Sequence, residues 1–222
     1  MDRYHPLLTP EQLQSEIDAY DGSVSYVDDQ IKNLFGELEQ RGLLKNAVVI
    51  ITSDHGESLG EHGLLQHSAS LYLQEIHVPL IVWRLGMVPQ NKQIDTPIST
   101  TALPSTILSL IGAQDDPFPG PSLSQLIFSD AAPADWPDPI SELAQASGAA
   151  EQNPSTYGEM KSVVGADMQY IVHEKFGEEL YNWRADSEET DNLVGYPSAT
   201  TVLDALKSYL RALIGDPLFR NP

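Results

Sequence analysis

The sequence predicts an α/β fold with a small antiparallel annex, and three observations carry that expectation. An amphipathic helical run feeds the apolar stretch KNAVVIITSD. A second apolar stretch, HVPLIVW, is followed by a second helical run. The last third then shows three short strand patterns with tight turns between them, and a final helix.

Each element has its own signal. Thr9, Pro10 and Gln12 read as an N-cap, a first-turn proline and the back-reaching partner of a capping box, so a helix begins there. Beyond Gly22, the residues Val24, Val27, Ile31, Leu34, Phe35 and Leu38 recur at three or four positions. This spacing predicts an amphipathic core helix with Asp28, Lys32 and Glu39 on its polar face, ending near Gly42. KNAVVIITSD is β-branched without polar alternation and reads as a buried strand, as does HVPLIVW at residues 77 to 83. TALPSTILSLIG reads as a helix with Pro104 in its first turn and Gly112 as its stop. Residues 113 to 138, rich in Pro, Asp and Gly, read as a long surface loop. TYGEMKSVVG, MQYIVHEK and EELYNW predict an antiparallel meander with turns at 165 to 167 and 176 to 177. TTVLDALKSYLRALI, apolar at Val202, Leu206, Tyr209, Leu210 and Leu213, is a terminal helix closed by Gly215 and Pro217. The expected division is 1–138 for the α/β part and 139–222 for the annex.

Composition narrows the function. Thirty-two acidic residues against twelve Lys and Arg give a formal charge of −20, which argues against nucleic acid and anionic membranes, both bound through clustered basic residues. An anionic substrate would need a local reversal of that field. With no cysteine there is no disulfide, thiolate metal site or cysteine nucleophile. No apolar run reaches the roughly 18 residues of a membrane span, and MDRYHPLLTP shows no export signal.

The stretch TSDHGESLGEHGLLQH, residues 52 to 67, is the chemical centre of the sequence. Ligands of open α/β sheets gather beyond the carboxyl ends of strands, and Asp54 and His55 follow such a strand. A carboxylate beside an imidazole there can bind a divalent cation, and Gly56, Gly60 and Gly63 let backbone approach a ligand. Spacing alone is weak evidence for this, since a strand-end aspartate often caps the next turn and lone histidines are usually hydrogen-bonded within the protein.

Three colinear stretches resemble successive signatures of the sulfatase family in the alkaline phosphatase superfamily. They are YDGSVSYVDDQIKNLFGELEQRGLLKNAVVIITSDHGESLGEHG, HVPLIVW and MQYIVHEKFGEELYNWRADSEETDNL, and the resemblance runs from about Glu11 to Leu213. It implies an alkaline-phosphatase-like mixed sheet flanked by helices, present in part, with a small C-terminal antiparallel sheet and helix. It also implies that the chain is the C-terminal half of a sulfatase. The family's metal pair falls on Asp54 and His55. Calcium is the metal most typical of the family, but His stands where many sulfatases have Asn, so Mn or Zn is admitted. His67 falls where relatives place a group that contacts the substrate oxyanion, a catalytic and substrate-binding role. His62 is implied as a substrate contact or as a brace for its turn. Glu57 and Glu61 read as exposed loop acids or helix-start charges, His77 and His173 as structural or exposed, and Lys161 as an ion-pair former, with substrate contact as the alternative.

The resemblance further implies a formylglycine nucleophile made from a Cys/Ser-x-Pro/Ala-x-Arg motif. The residues four before Arg41, Arg84, Arg184, Arg211 and Arg220 are Glu37, Leu80, Leu180, Lys207 and Asp216, so the motif is expected in a missing N-terminal segment. The expected function is metal-dependent hydrolysis of a small-molecule or glycan sulfate ester, with this chain inactive alone and prone to self-association through an uncovered core. A phosphonate or phosphodiester hydrolase, a phosphoethanolamine transferase and a non-catalytic interaction module are the alternatives.

Overall fold

A computed structural model of the chain describes residues 8–148 and 150–215; the start of MDRYHPLLTP and Pro217 lie outside the described residues. These residues pack into two units. One is built from residues 10–53 and 79–137, the other from 54–78 and the residues from 138 onward, with Leu8 and Thr9. The boundary proposed between 138 and 139 separates the sheets in chain order, while packing groups residues 54–78 with the C-terminal sheet.

In the first unit, helix α1 (Pro10–Gln40) is a single run of 31 residues that passes through Gly22 and Gly36. It forms where the capping signal places it, but it is not a core helix. None of its residues is buried, and Val24, Val27 and Leu34 are each more than half exposed. Periodicity marks the apolar face, and only a packing partner can bury it. Phe35 finds one, meeting Trp83 edge-on at 6.3 Å between ring centroids. Strand β1 (Val49–Thr52) is short and half-buried, ending two residues before Asp54.

In the second unit, residues 58–59 and 65–66 form a small hairpin, β2 (Ser58–Leu59) with β3 (Leu65–Gln66), followed by the one-turn helix α2 (Leu73–Ile76). Back in the first unit, β4 (Leu80–Trp83) pairs antiparallel with β1, Val49 opposite Trp83 and Thr52 opposite Leu80. Both strands read as buried from their apolar composition, yet Ile81 is 55% exposed. Leu80 and Val82, on the opposite face, pack on the cluster of Ala102, Leu123, Leu126 and Ile127. Helix α3 (Leu103–Ile111) has its proline in the first turn and stops at Gly112, whose φ of 76° is left-handed. The stretch 113–138 is not all surface loop, for helix α4 (Ser124–Ile127) lies within it and buries Leu126 and Ile127.

The second unit continues with four antiparallel strands in chain order: β5 (Ile140–Leu143), β6 (Met160–Val164), β7 (Gln169–His173) and β8 (Gly177–Tyr181). The three-strand meander forms as the turn residues dictate, and β5 adds an edge the sequence did not signal. Every residue of β7 is buried, because both faces of this sheet are covered. Val163, Tyr170, Val172 and Leu180 face helix α5 (Thr200–Ile214) through Leu206 and Leu210. Met160, Ile171 and Tyr181, of opposite parity, pack against Leu64, Ala69, Leu71 and Tyr72. Leu213, expected on the packed face of α5, is 55% exposed. The loop that carries the candidate site is thus the cover of one sheet face. The chain as a whole is an α/β fold with helices flanking a sheet, and a separate C-terminal antiparallel sheet with its helix. No helix among the described residues is long and apolar enough to cross a membrane.

Gly22 and Gly36 have open space where a Cβ would stand. Replacing each with Ala in a helix interior removes backbone entropy from the unfolded chain, so chemical denaturation is expected to show a gain of about 0.5–1 kcal/mol per substitution.

Candidate functional site

The hairpin sets the geometry of the site. Ser58 pairs with Gln66 and Leu59 with Leu65, so one step further out the same register brings Glu57 against His67. Their side chains meet there, Glu57 Oε2 lying 3.3 Å from His67 Nδ1. His67 stands between two non-glycine residues with left-handed backbone, Gln66 at φ 67° and Ser68 at φ 63°. Such conformations are uncommon and persist where surrounding structure imposes them. The His55 ring stacks on that of His67, with centroids 4.1 Å apart. One donor atom from each of His55, Glu57 and His67 lies within 4.8 Å of the other two, a set that could hold a metal ion.

The backbone of its neighbour orients His55. The ring Nδ1 lies 2.8 Å from the Gly56 carbonyl, a contact that favours the tautomer with the proton on Nδ1. That bond raises the His55 pKa above its ordinary value; desolvation opposes it, and the carboxylates of Asp54, Glu57 and Glu75 add to the rise. Asp54 is not in the compact trio. Its side chain is 88% exposed, though its Oδ2 lies 3.8 Å from His55 Nε2, so the two side chains expected to share a cation stand side by side.

Glu57, read from sequence as an exposed loop acid, is the member of this candidate group that the sequence did not single out. Its signal was the register of a hairpin too short to show in a hydropathy pattern.

The remaining histidines separate clearly. His62 has a left-handed backbone (φ 53°) and lies flat on Tyr72, ring centroids 3.6 Å apart. Burial lowers its pKa, outweighing Glu179, the Glu188 carbonyl, Glu61 and Asp186. His173 is buried and structural: Nε2 meets the Pro154 carbonyl at 2.9 Å and Nδ1 accepts the amides of Lys175 and Phe176. His77 ends α2 and is exposed. Lys161 is paired with Glu142 at 2.8 Å and Glu159 at 3.3 Å, the ion-pair role read from sequence.

Two buried acids hold this loop in place. Glu75 accepts hydrogen bonds from Ser58 Oγ, Ala69 N and Ser70 Oγ. Glu189, 1% exposed, accepts from Leu73 N at 2.7 Å. Desolvation, with Glu179 and Asp186 adding to it and the Leu73 amide opposing, pushes the Glu189 pKa up to about 8.

The sulfatase family model matches residues 3–113, half of the chain, and the chain belongs to the sulfatase family. This corrects the reading of the chain as a C-terminal half: the matched span is the N-terminal half of this chain, and it contains the Asp54–His67 loop. The tail signature, which supplies β7 and β8 of the four-stranded sheet, lies beyond the match. The chain is 39% identical over 87 residues to the uncharacterised sulfatase YidJ of Escherichia coli strain K12, covering 38% of this chain and 16% of that protein. It is 27% identical over 215 residues to arylsulfatase K of Danio rerio, covering 94% of this chain and 39% of the relative. Among solved structures, BT1596, a 2-O GAG sulfatase, superposes with a TM-score of 0.80 at 24% identity, over 93% of this chain and 44% of that one. The chain therefore spans less than half the length of each of these relatives.

Two substitutions test the loop. A Cβ on Gly56 would come 2.0 Å from the Gln74 carbonyl oxygen, so Gly56→Ala is expected to cost more than about 3 kcal/mol in thermal or chemical unfolding. For Glu189, the raised pKa means that its contribution to stability is complete below the unfolded value near 4.5 and is lost as pH rises through about 8. Glu189→Gln, which keeps an acceptor for Leu73 N, is expected to flatten the fall in Tm between pH 5 and 8 and to leave a Tm at pH 8 several degrees above the parent's.

Proposed function

We propose that the Asp54–His67 loop holds a divalent cation for the hydrolysis of a sulfate ester, with His55, Glu57 and His67 as donors and Asp54 as a further one. The observation that carries this reading is the convergence of two imidazoles and a carboxylate within 4.8 Å, in the span matched by the sulfatase family model. Two nitrogen donors beside carboxylates suit Mn or Zn better than Ca, which takes mostly oxygen. A cation bound there would act as a Lewis acid on the charge of the transferring group.

The chain's own residues have distinct tasks in this reading. The Gly56 carbonyl orients His55 so that Nε2 faces Asp54. Glu57 orients His67, whose half-exposed ring is available to a ligand or an oxyanion. His62, stacked under Tyr72, braces the turn instead of meeting substrate. Neither a cysteine nor a Cys/Ser-x-Pro/Ala-x-Arg run occurs in the 222 residues, so these residues by themselves are proposed to lack sulfatase turnover. Turnover of an aryl sulfate by the purified chain, abolished in Asp54→Ala, would overturn that statement.

The imidazole at position 55 favours one second reading, a phosphonate or phosphodiester hydrolase. Titration of the Mn²⁺-loaded chain with inorganic sulfate and with phosphate separates the two, preference for sulfate supporting the first.

Calorimetric titration with Mn²⁺ tests the cation site itself. His55→Ala and His67→Ala are each expected to weaken binding by more than about tenfold. Because the His55 pKa is raised, protons compete with the ion at a pH above the ordinary histidine value, and affinity is expected to fall steadily from pH 8 to pH 6.

A further inference from the structure

We propose that Glu75 is the positioning residue of this cation site, a role that rests on the metal reading above. Glu75 is 4% exposed and belongs to the one-turn helix α2, outside the donor trio. Its Oε1 accepts from Ser58 Oγ at 3.0 Å and Ser70 Oγ at 2.9 Å, and its Oε2 accepts from Ala69 N at 3.1 Å. Its own backbone carbonyl accepts from Gly56 N at 2.8 Å. These four bonds reach both arms of the loop. Gly56 and Ser58 flank Glu57 and follow His55, while Ala69 and Ser70 follow His67 by two and three residues.

One side chain therefore sets how far the arm bearing His55 and Glu57 stands from the arm bearing His67. The two-residue strands of the hairpin cannot do this alone, since so short a ladder has little stability of its own. The adjoining backbone is equally constrained, with no room for a Cβ between Gly56 and the Gln74 carbonyl. Ser70 Oγ also accepts from Tyr72 N at 3.3 Å, which ties the clamp to the aromatic cover of the sheet. The action is geometric: the carboxylate holds hydroxyls and an amide, and its neighbours present the donors.

The test is Mn²⁺ binding by calorimetry, with the EPR spectrum of the bound ion, compared with the thermal midpoint of the metal-free chain. Glu75→Ala and the double variant Ser58→Ala/Ser70→Ala are expected to weaken Mn²⁺ binding tenfold or more and to broaden the spectrum. Glu75→Gln is expected to restore affinity to within threefold, its amide oxygen taking Ala69 N–H while the two hydroxyls turn to accept from its NH₂. Should Glu75→Ala fail to fold, the serine pair and Glu75→Gln decide. The proposal is overturned if the serine pair binds Mn²⁺ like the parent while His55→Ala does not. It is also overturned if Glu75→Gln folds but binds no better than the serine pair. A parent chain that takes up no Mn²⁺ defeats the metal reading, and the positioning role with it.

Discussion

The candidate site depends on a carboxylate sealed inside the loop that carries it. Most buried acids are matched by a base, because an ion taken out of water must regain its solvation from the protein. Glu75 regains it from two hydroxyls and a main-chain amide. Since each donor comes from a different point of the loop, the solvation demand of one group becomes a set of distance restraints. A loop rich in glycine, serine and histidine on its outer side acquires a defined shape in this way.

That shape is continuous with the core. Leu64, Ala69, Leu71 and Tyr72 are the inner side of the same loop, and they cover one face of the four-stranded sheet while α5 covers the other. Gln169, wholly buried in β7, donates to the Leu71 carbonyl, Tyr72 donates to Glu179, and Ser155 donates to the Ser68 carbonyl. The polar outer side, with Asp54, His55 and His67, is consequently presented by residues whose neighbours are fixed by packing.

Charge gives the site its direction. In the same unit Lys161, Lys207 and Arg184 are each paired with carboxylates, of Glu142 and Glu159, Glu178, and Asp167. On a chain of net charge −20, the field of the whole surface favours cations over anions.

Much of this was legible in the sequence for definite reasons. Helix starts and stops are local, so Pro10, Pro104 and Gly112 mark them directly, and the turns near Gly165 and Gly177 announce the meander. His55 was singled out by its place after an apolar strand. Burial and pairing were decided by tertiary structure. The apolar stripe of α1 specifies a helix with a sticky face but not a partner, and Ile81 reads as buried although one side of its strand is open. Glu57 and Glu75 have the same side-chain chemistry, eighteen positions apart, and nothing near either one distinguishes them. Only the folded loop sets Glu57 against His67, in a group that could hold a metal ion, and turns Glu75 inward against two serines. Local stereochemistry determines backbone form residue by residue, whereas a carboxylate's role depends on which groups long-range packing brings within hydrogen-bonding distance.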